Sequence, residues 1–302
     1  MLKTRNNGEI WCVSQPDHAA ISGYLAAHWG NEAFQRPGYY APAPDHEVLR
    51  AAVVLGVAEH DNGWWEWEAT PELSDVDGLP LDLTDVLRDQ QDAMNRWRRG
   101  IPRFSDNHPY GSLLTSFHAF WLYAPRCRES TDPAFLHPLF QEKTTPQLTG
   151  AELEEAQAFV AEVEQQQSEL IRRIETAPST AHWVDPQHLN PHVRLLQLLD
   201  GLSLSLCSGI VPTFDRNSRG PGQNAFTLSD VPRSTWKDRV RIDVYPLGDR
   251  RIACTPYPFG VDPLSVFVPV RKFAAERRPS GSFPTFWNAQ PIQHVRFEFC
   301  TA

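Results

Sequence analysis

Glu59-His60-Asp61 closes the apolar run Val53-Val54-Leu55-Gly56-Val57-Ala58 and is followed at once by Asn62-Gly63-Trp64. A charge at the end of a buried stretch is costly unless it is paired, protonated or bound to a metal. Imidazole and carboxylate are common ligands for zinc, iron and manganese. One His-Asp pair occurs by chance in many sequences, so its weight comes from His18, His118 and Asp200, each in an apolar segment with helical spacing. Asp200 sits within Leu195-Leu196-Gln197-Leu198-Leu199-Asp200-Gly201-Leu202-Ser203-Leu204. An unpaired ionised carboxylate there would be prohibitively unstable, and a divalent ion would compensate it. The competing reading for Asp200 is a helix cap or an arginine partner, and for His18 alone a satisfied core histidine. His108 and His192 are weaker candidates. His192 lies about two helical turns from Asp200, too far to share one ion with it.

Trp64, Trp65 and Trp67 follow the candidate ligands, interleaved with Glu66 and Glu68. Trp64 is expected to wall a substrate pocket, and Glu66 is a candidate general base beside an activated water. A packing loop with solvated glutamates is the alternative, favoured for Glu68. The run Arg96-Trp97-Arg98-Arg99, with Arg103 nearby, reads first as a solvated helix face. Arg98 is its candidate contact to a substrate phosphate. There is no Walker loop, and Gly220-Pro221-Gly222 lacks the strand-then-helix context of a phosphate cradle. No serine or cysteine sits in a recognisable nucleophile turn.

These residues need helices to carry them. Ile10 to Val13 reads as a short strand between the turn-forming Asn6-Asn7-Gly8 and Ser14-Gln15-Pro16. His18, Ile21, Leu25 and His28 recur at helical spacing behind Pro16. A second helix is expected from about Asp45, with Val48, Ala51, Ala52, Leu55 and Ala58 as its stripe. Further helices are expected over Thr84 to Arg99 and over Gly111 to Tyr123, which carries His118. The proline-rich stretch Ala124 to Pro146 reads as a long loop. Thr149-Gly150-Ala151-Glu152 reads as a capping box opening a long helix. Asn190 and Pro191 read as cap and first residue of a helix running to about Cys207, apolar nearly all round. After Pro212 the period changes to two: Val240, Ile242 and Val244 alternate with charged residues. Ile252 to Cys254, Leu264 to Val268 and Val295 to Phe299 are further strand candidates. The expectation is a mainly α protein, α+β overall. A helical domain over 1–210 is followed by a β-rich module over 211–302 packed on it, which the opening strand could join.

At 302 residues with 41% hydrophobic and 22% charged side chains, the chain can bury a real core. No apolar run is long enough to cross a membrane, and Met1 to Asn7 lacks an apolar signal core. The five cysteines show no Cys-x-x-Cys spacing, which points to reduced thiols in a cytoplasm rather than a structural zinc site. A net charge of −9 argues against nucleic acid or an anionic membrane as partner. A small-molecule substrate, phosphorylated or not, is expected instead, and a homo-oligomer is compatible with the composition.

The order His18, His60-Asp61, Asp200 resembles the HD superfamily of metal-dependent phosphohydrolases. That resemblance implies a helical bundle, a divalent ion (iron, manganese, zinc or magnesium) in one or two copies, and His18, His60, Asp61 and Asp200 as ligands. It also implies His118 on a second ion, with Asp61 bridging. A closer resemblance rests on Gln15-Pro16-Asp17-His18-Ala19 with Trp29-Gly30-Asn31, then Glu59 to Trp64, Ser116-Phe117-His118, Leu199 to Ser203 and Pro256-Tyr257-Pro258-Phe259. Those motifs, in that order, look like the bacterial family called domain of unknown function 3891. The stretches Ala124 to Gln147 and Arg216 to Ser234 depart from its pattern. Three functions follow as expectations: a metal-dependent hydrolase of phosphate esters, a mixed-valent di-iron oxygenase, and a non-catalytic metal-stabilised binding protein.

Overall fold

Leu2–Asn6 (β1) and Glu9–Val13 (β2) form a hairpin whose two-residue turn, Asn7-Gly8, has φ of 50° and 78°. Asn-Gly suits such a turn because both positions need left-handed backbone. β2 leads into helix α1 (Gln15–His28), capped by Ser14, whose hydroxyl accepts from the Asp17 amide, with Pro16 in its first turn. The computed structural model describes residues 1–86, 89–128, 132–140, 147–211, 220–275 and 282–302.

The helices continue with α2 (His46–Ala58), α3 (Trp65–Ala69), α4 (Leu83–Val86), α5 (Gln90–Arg103) and α6 (Pro109–Cys127), then α7 (Gly150–Glu175) and α8 (Pro186–Cys207). Strands β3 (Phe226–Pro232), β4 (Arg239–Gly248), β5 (Arg251–Thr255) and β6 (Leu264–Ala274) follow, then helix α9 (Phe283–Asn288) and strand β7 (Ile292–Cys300). One seven-stranded mixed sheet has the order β1-β2-β6-β7-β5-β4-β3, with β5 and β7 parallel and the other neighbours antiparallel.

This corrects the expectation of an HD-like helical bundle carrying a C-terminal β module. The opening strand does join the C-terminal strands, as that expectation allowed, Cys12 pairing with Arg271 across the β2–β6 boundary. Helices pack directly on that sheet, α1 against β6 and α8 against β3. The same apolar core holds Val13 of β2, Leu25 of α1, Leu196 of α8 and Val266 of β6. Periodicity identifies elements singly; pairing partners some 260 residues apart leave no trace in it.

Local readings are corrected too. The expected helix over Thr84 to Arg99 is two, α4 and α5, and residues 87 and 88 between them lie outside the described residues. Thr149 stands at the start of α7 but its side chain makes no capping bond. α8 begins at Pro186 behind Asp185, so Asn190 and Pro191 lie inside it. Pro186 stands in the first turn, where the amides have no internal partner, and Pro191 falls in the second turn. The stretch Ala124 to Pro146 includes the end of α6 and two 3-10 turns, Pro133–Phe135 and Pro138–Phe140; residues 129–131 and 141–146 lie outside the described residues. Within Arg216 to Ser234, residues 216–219 lie outside the described residues, and β3 occupies Phe226–Pro232.

The Trp29-Gly30-Asn31 corner after α1 clasps the loop before β6. The Gly30 amide donates to Pro258 O at 2.9 Å and Asn31 Nδ2 to Tyr257 O at 2.8 Å. This closure holds α1, and with it His18, against the sheet.

Candidate metal centre

Four helices and one loop deliver their side chains to one buried point. His18 comes from the first turn of α1, His60 and Asp61 from the turn that ends α2, His118 from the middle of α6 and Asp200 from α8. His137, between the two 3-10 turns, is the sixth member and is fully buried. Asp200 is the hub. Its Oδ1 lies 2.7 Å from His18 Nε2 and 3.6 Å from His60 Nε2. Its Oδ2 lies 3.5 Å from His118 Nε2 and 2.7 Å from His137 Nε2. Asp61 Oδ2 is 3.8 Å from His18 Nε2 and 3.7 Å from His60 Nε2, so it joins the first pair only. The carboxylate placed between the two histidine pairs is therefore Asp200 rather than Asp61.

An ion with bonds of about 2.1 Å holds adjacent ligand atoms roughly 3.0–3.4 Å apart. Two triads, His18-His60-Asp200 and His118-His137-Asp200, have ligand atoms all within 4.8 Å of one another and could each hold a metal ion. The first is the better prepared. His60 Nδ1–H donates to Val57 O at 2.8 Å, and His18 Nδ1 bonds to Ser203 Oγ. Val57 O can only accept, so His60 holds a proton on Nδ1 and turns Nε2 inward, as ligation requires. Ser203 Oγ can donate or accept, and His18 Nε2, 2.7 Å from Asp200 Oδ1, carries a proton that an ion would displace. His60 Nε2 is buried without a hydrogen-bond partner and faces two carboxylates, an arrangement that calls for a proton or a cation between them. In the second triad His118 Nδ1 has no partner, and His137 Nδ1 accepts from the Leu139 amide at 3.0 Å, which leaves its proton on Nε2. Ligation by His137 must displace that proton.

The titration of these groups follows from burial and charge. Burial disfavours the charged forms of His118 and His137 and pushes both below the usual imidazole range, the former far below. Burial opposes ionisation of Asp200, but the close approach of His137, His18 and His60 outweighs it and holds the carboxyl well below its usual range. Burial would lower His60, yet Asp61 beside it, with Asp200, carries it up to about 9. Asp61 itself is pushed up by burial. The centre thus holds neutral imidazoles on one side of Asp200 and a cation-seeking cluster on the other.

The α8 motif around Asp200 is explained residue by residue. Ser203 receives His18. At Gly201 a Cβ would come within 2.9 Å of Pro138, so only glycine lets the His137 loop lie on the helix. One turn earlier, buried Gln197 donates to Phe135 O at 2.7 Å, and Arg194 donates to Leu136 O at 2.7 Å and to Ser229 O at 2.7 Å. These bonds hold the two peptides that precede His137.

A cavity of about 360 Å³ opens on His18, Asp61, His118 and Asp200. Trp64 lines it, its indole backed by the Arg96 guanidinium 4.2 Å from the ring centre. Other expected contacts lie elsewhere. Glu66 accepts from Arg103 Nη2 at 2.6 Å, which draws its carboxyl below the usual range, and it does not line the cavity. Arg98 is paired with Glu162 of α7 at 2.7 Å, also away from the cavity. Arg96 and Arg99 do not line it either. His192 is engaged at both nitrogens, by Tyr110 Oη at 2.7 Å and the Gly38 amide at 2.9 Å, and His108 flanks a separate smaller cavity. His137 is the residue that sequence reasoning missed. Its signal is a lone imidazole inside the apolar run Phe135-Leu136-His137-Pro138-Leu139-Phe140.

An α+β protein that buries four histidines around two aspartates at the end of an apolar cavity is the class that fold and site define. The chain belongs to the family described as protein of unknown function (DUF3891), whose model matches residues 1–274. No curated protein and no solved structure matches it significantly. Among the described residues no helix is long and apolar enough to cross a membrane, and all five cysteines are free and buried.

Proposed function

We propose that this protein is a metal-dependent hydrolase of a small ester. The observation that carries the reading is Asp200, which presents one oxygen to each of two histidine pairs at the end of a mostly apolar cavity. A divalent ion held by His18, His60, Asp61 and Asp200 would lower the pKa of water and polarise the ester oxygen. His60 would bind through Nε2, its ring oriented by the Nδ1 bond to Val57 O, and His18 through Nε2, each giving up the proton that faces the carboxylates. Asp61 lines the cavity with Oδ2 toward His18 and His60, so Oδ2 would ligate the ion and its other carboxylate oxygen would be left to take a proton from an attacking water. Trp64 and Trp97 exclude solvent from that side.

A phosphate ester is the less favoured substrate. Arg126 is the one arginine or lysine among the described residues that line the cavity, and the walls are mostly apolar. The test is hydrolysis by protein of defined metal content over a panel of carboxylic esters, phosphomonoesters and phosphodiesters. Asp200→Asn should abolish turnover, and Asp61→Asn should lower it by about 100-fold or more. A folded protein that binds no divalent ion would sink the proposal.

A di-iron oxygenase is the second reading, favoured because each triad is two histidines and one carboxylate, a set suited to non-haem iron. Two irons per chain with substrate-dependent oxygen uptake would select it. One tight zinc, manganese or magnesium ion with ester turnover selects the hydrolase.

A further inference from the structure

We infer that the cavity takes an elongated amphipathic carboxylate: an anionic head bound by Arg126, an apolar body, and a reacting group at the His/Asp centre. The inference rests on the metal-centre reading and adds the substrate class. α5 and α6 run antiparallel along the cavity. At one end Arg126 Nη1 donates to Gln90 Oε1 at 3.0 Å; at the other the rings of Trp97 and His118 lie 5.6 Å apart. His118 and Arg126 are eight residues apart on α6, about 12 Å along the axis. Leu122 lies between them and Ala93 opposite on α5, both lining the cavity, with Leu139 and Phe140 on a further wall. The charges are segregated: the acids that line the cavity, Asp61 and Asp200, stand at the histidine end, and Arg126 stands at the other.

The other interactions of Arg126 leave its charge available. Among the described residues its guanidinium bonds to the neutral Gln90 and stands 5.9 Å from the Tyr123 ring centre, and no carboxylate pairs with it. A guanidinium that lines an apolar cavity without an acid partner is matched best by a planar carboxylate, which it can hold through two parallel bonds. A single arginine suits one negative charge better than a phosphate dianion, which recruits several cations. The volume, about 360 Å³, is at the small end for ligand sites, so the body is a short alkyl or single aromatic unit.

Calorimetry on the whole protein with its native metal, using octanoate, octanol and octyl phosphate, tests the head group. Octanoate should bind at least about tenfold tighter than octanol. Arg126→Leu should erase that preference with metal content and melting temperature unchanged, and Arg126→Lys should keep part of it. Equal binding of octanol and octanoate, no binding of either, a preference for octyl phosphate over octanoate, or an unchanged preference in Arg126→Leu would each overturn the inference. Turnover of monomethyl suberate against dimethyl suberate separates the two claims. Arg126-dependent octanoate binding without hydrolysis leaves the ligand class standing and removes the hydrolase. Equal hydrolysis of the neutral and the anionic ester does the reverse.

Discussion

At the scale of single residues, the proton on each imidazole decides what the centre can do. His60 carries one on Nδ1, locked by Val57 O, while His137 carries its own on Nε2 because the Leu139 amide claims Nδ1. An ion at the first triad displaces the proton between His18 Nε2 and Asp200 but keeps the His60 Nδ1 bond. At the second, the His137 proton must leave and, among the described residues, no Nδ1 bond orients His118. Metal titration followed by elemental analysis should therefore show two unequal steps, a tight ion and then one weaker by roughly 100-fold. His137→Ala should remove the weak step alone, and Asp200→Asn should remove both. Two equal sites would refute the tautomer argument.

His192 offers a pH test away from the centre. Burial pushes its pKa down to about 3. An unfolded histidine titrates near 6.5, so below that pH the unfolded chain takes up a proton that the folded chain refuses. The stability contributed by neutral His192 is complete above about pH 6.5 and is lost as the pH falls toward about 3. Between pH 7 and pH 5 the loss from this group is on the order of 2 kcal/mol. Urea unfolding of His192→Gln should show a shallower acid limb than wild type. Parallel curves would mean that His192 does not govern it.

Among the elements, α8 is the organiser. It supplies Asp200, seats His18 through Ser203, admits the His137 loop at Gly201 and ties that loop down through Gln197 and Arg194. Arg194 also reaches Ser229 of β3, so the sheet and the histidine loop are braced by one guanidinium. Arg194→Leu and Gln197→Leu leave buried carbonyls without donors, which costs about 1–3 kcal/mol each. Both variants should weaken the second metal step by roughly 10–100-fold and leave the first step unchanged. Loss of the first step as well would show that the two triads fold as a unit.

For the whole molecule, the sheet makes the chain one cooperative body. β7 lies between β6 and β5 and buries Val295, Phe297 and Phe299. A chain ended after Ala274, where the family match stops, keeps every candidate ligand and loses the strand that joins β6 to β5. Each of those three side chains stabilises the fold by roughly 1.5–3 kcal/mol when buried, against a total stability of about 5–15 kcal/mol. The shortened chain should fail to give a cooperative thermal transition and should bind no metal. A folded fragment would mean that the fold stands without β7.

Helix and strand identity was written locally. The 3.6-residue spacing of His18, Ile21 and Leu25 and the alternation of Val240, Ile242 and Val244 specify elements that need no distant partner to be recognised. The costly placement of Asp200 in a mostly apolar run announced a compensated carboxylate, because burial energy depends on the local run of side chains. What compensates it was not local. His137 sits in a proline-rich loop with no period, and it reaches Asp200 only because Gly201, Gln197 and Arg194 hold that loop on α8. The choice of Asp200 over Asp61 as the shared carboxylate depends on side-chain directions set by helix packing. The union of β1, β2 and β6 in one sheet depends on pairings between the two ends of the chain. Periodicity records which face of a segment is buried, whereas only tertiary structure decides what is buried against it.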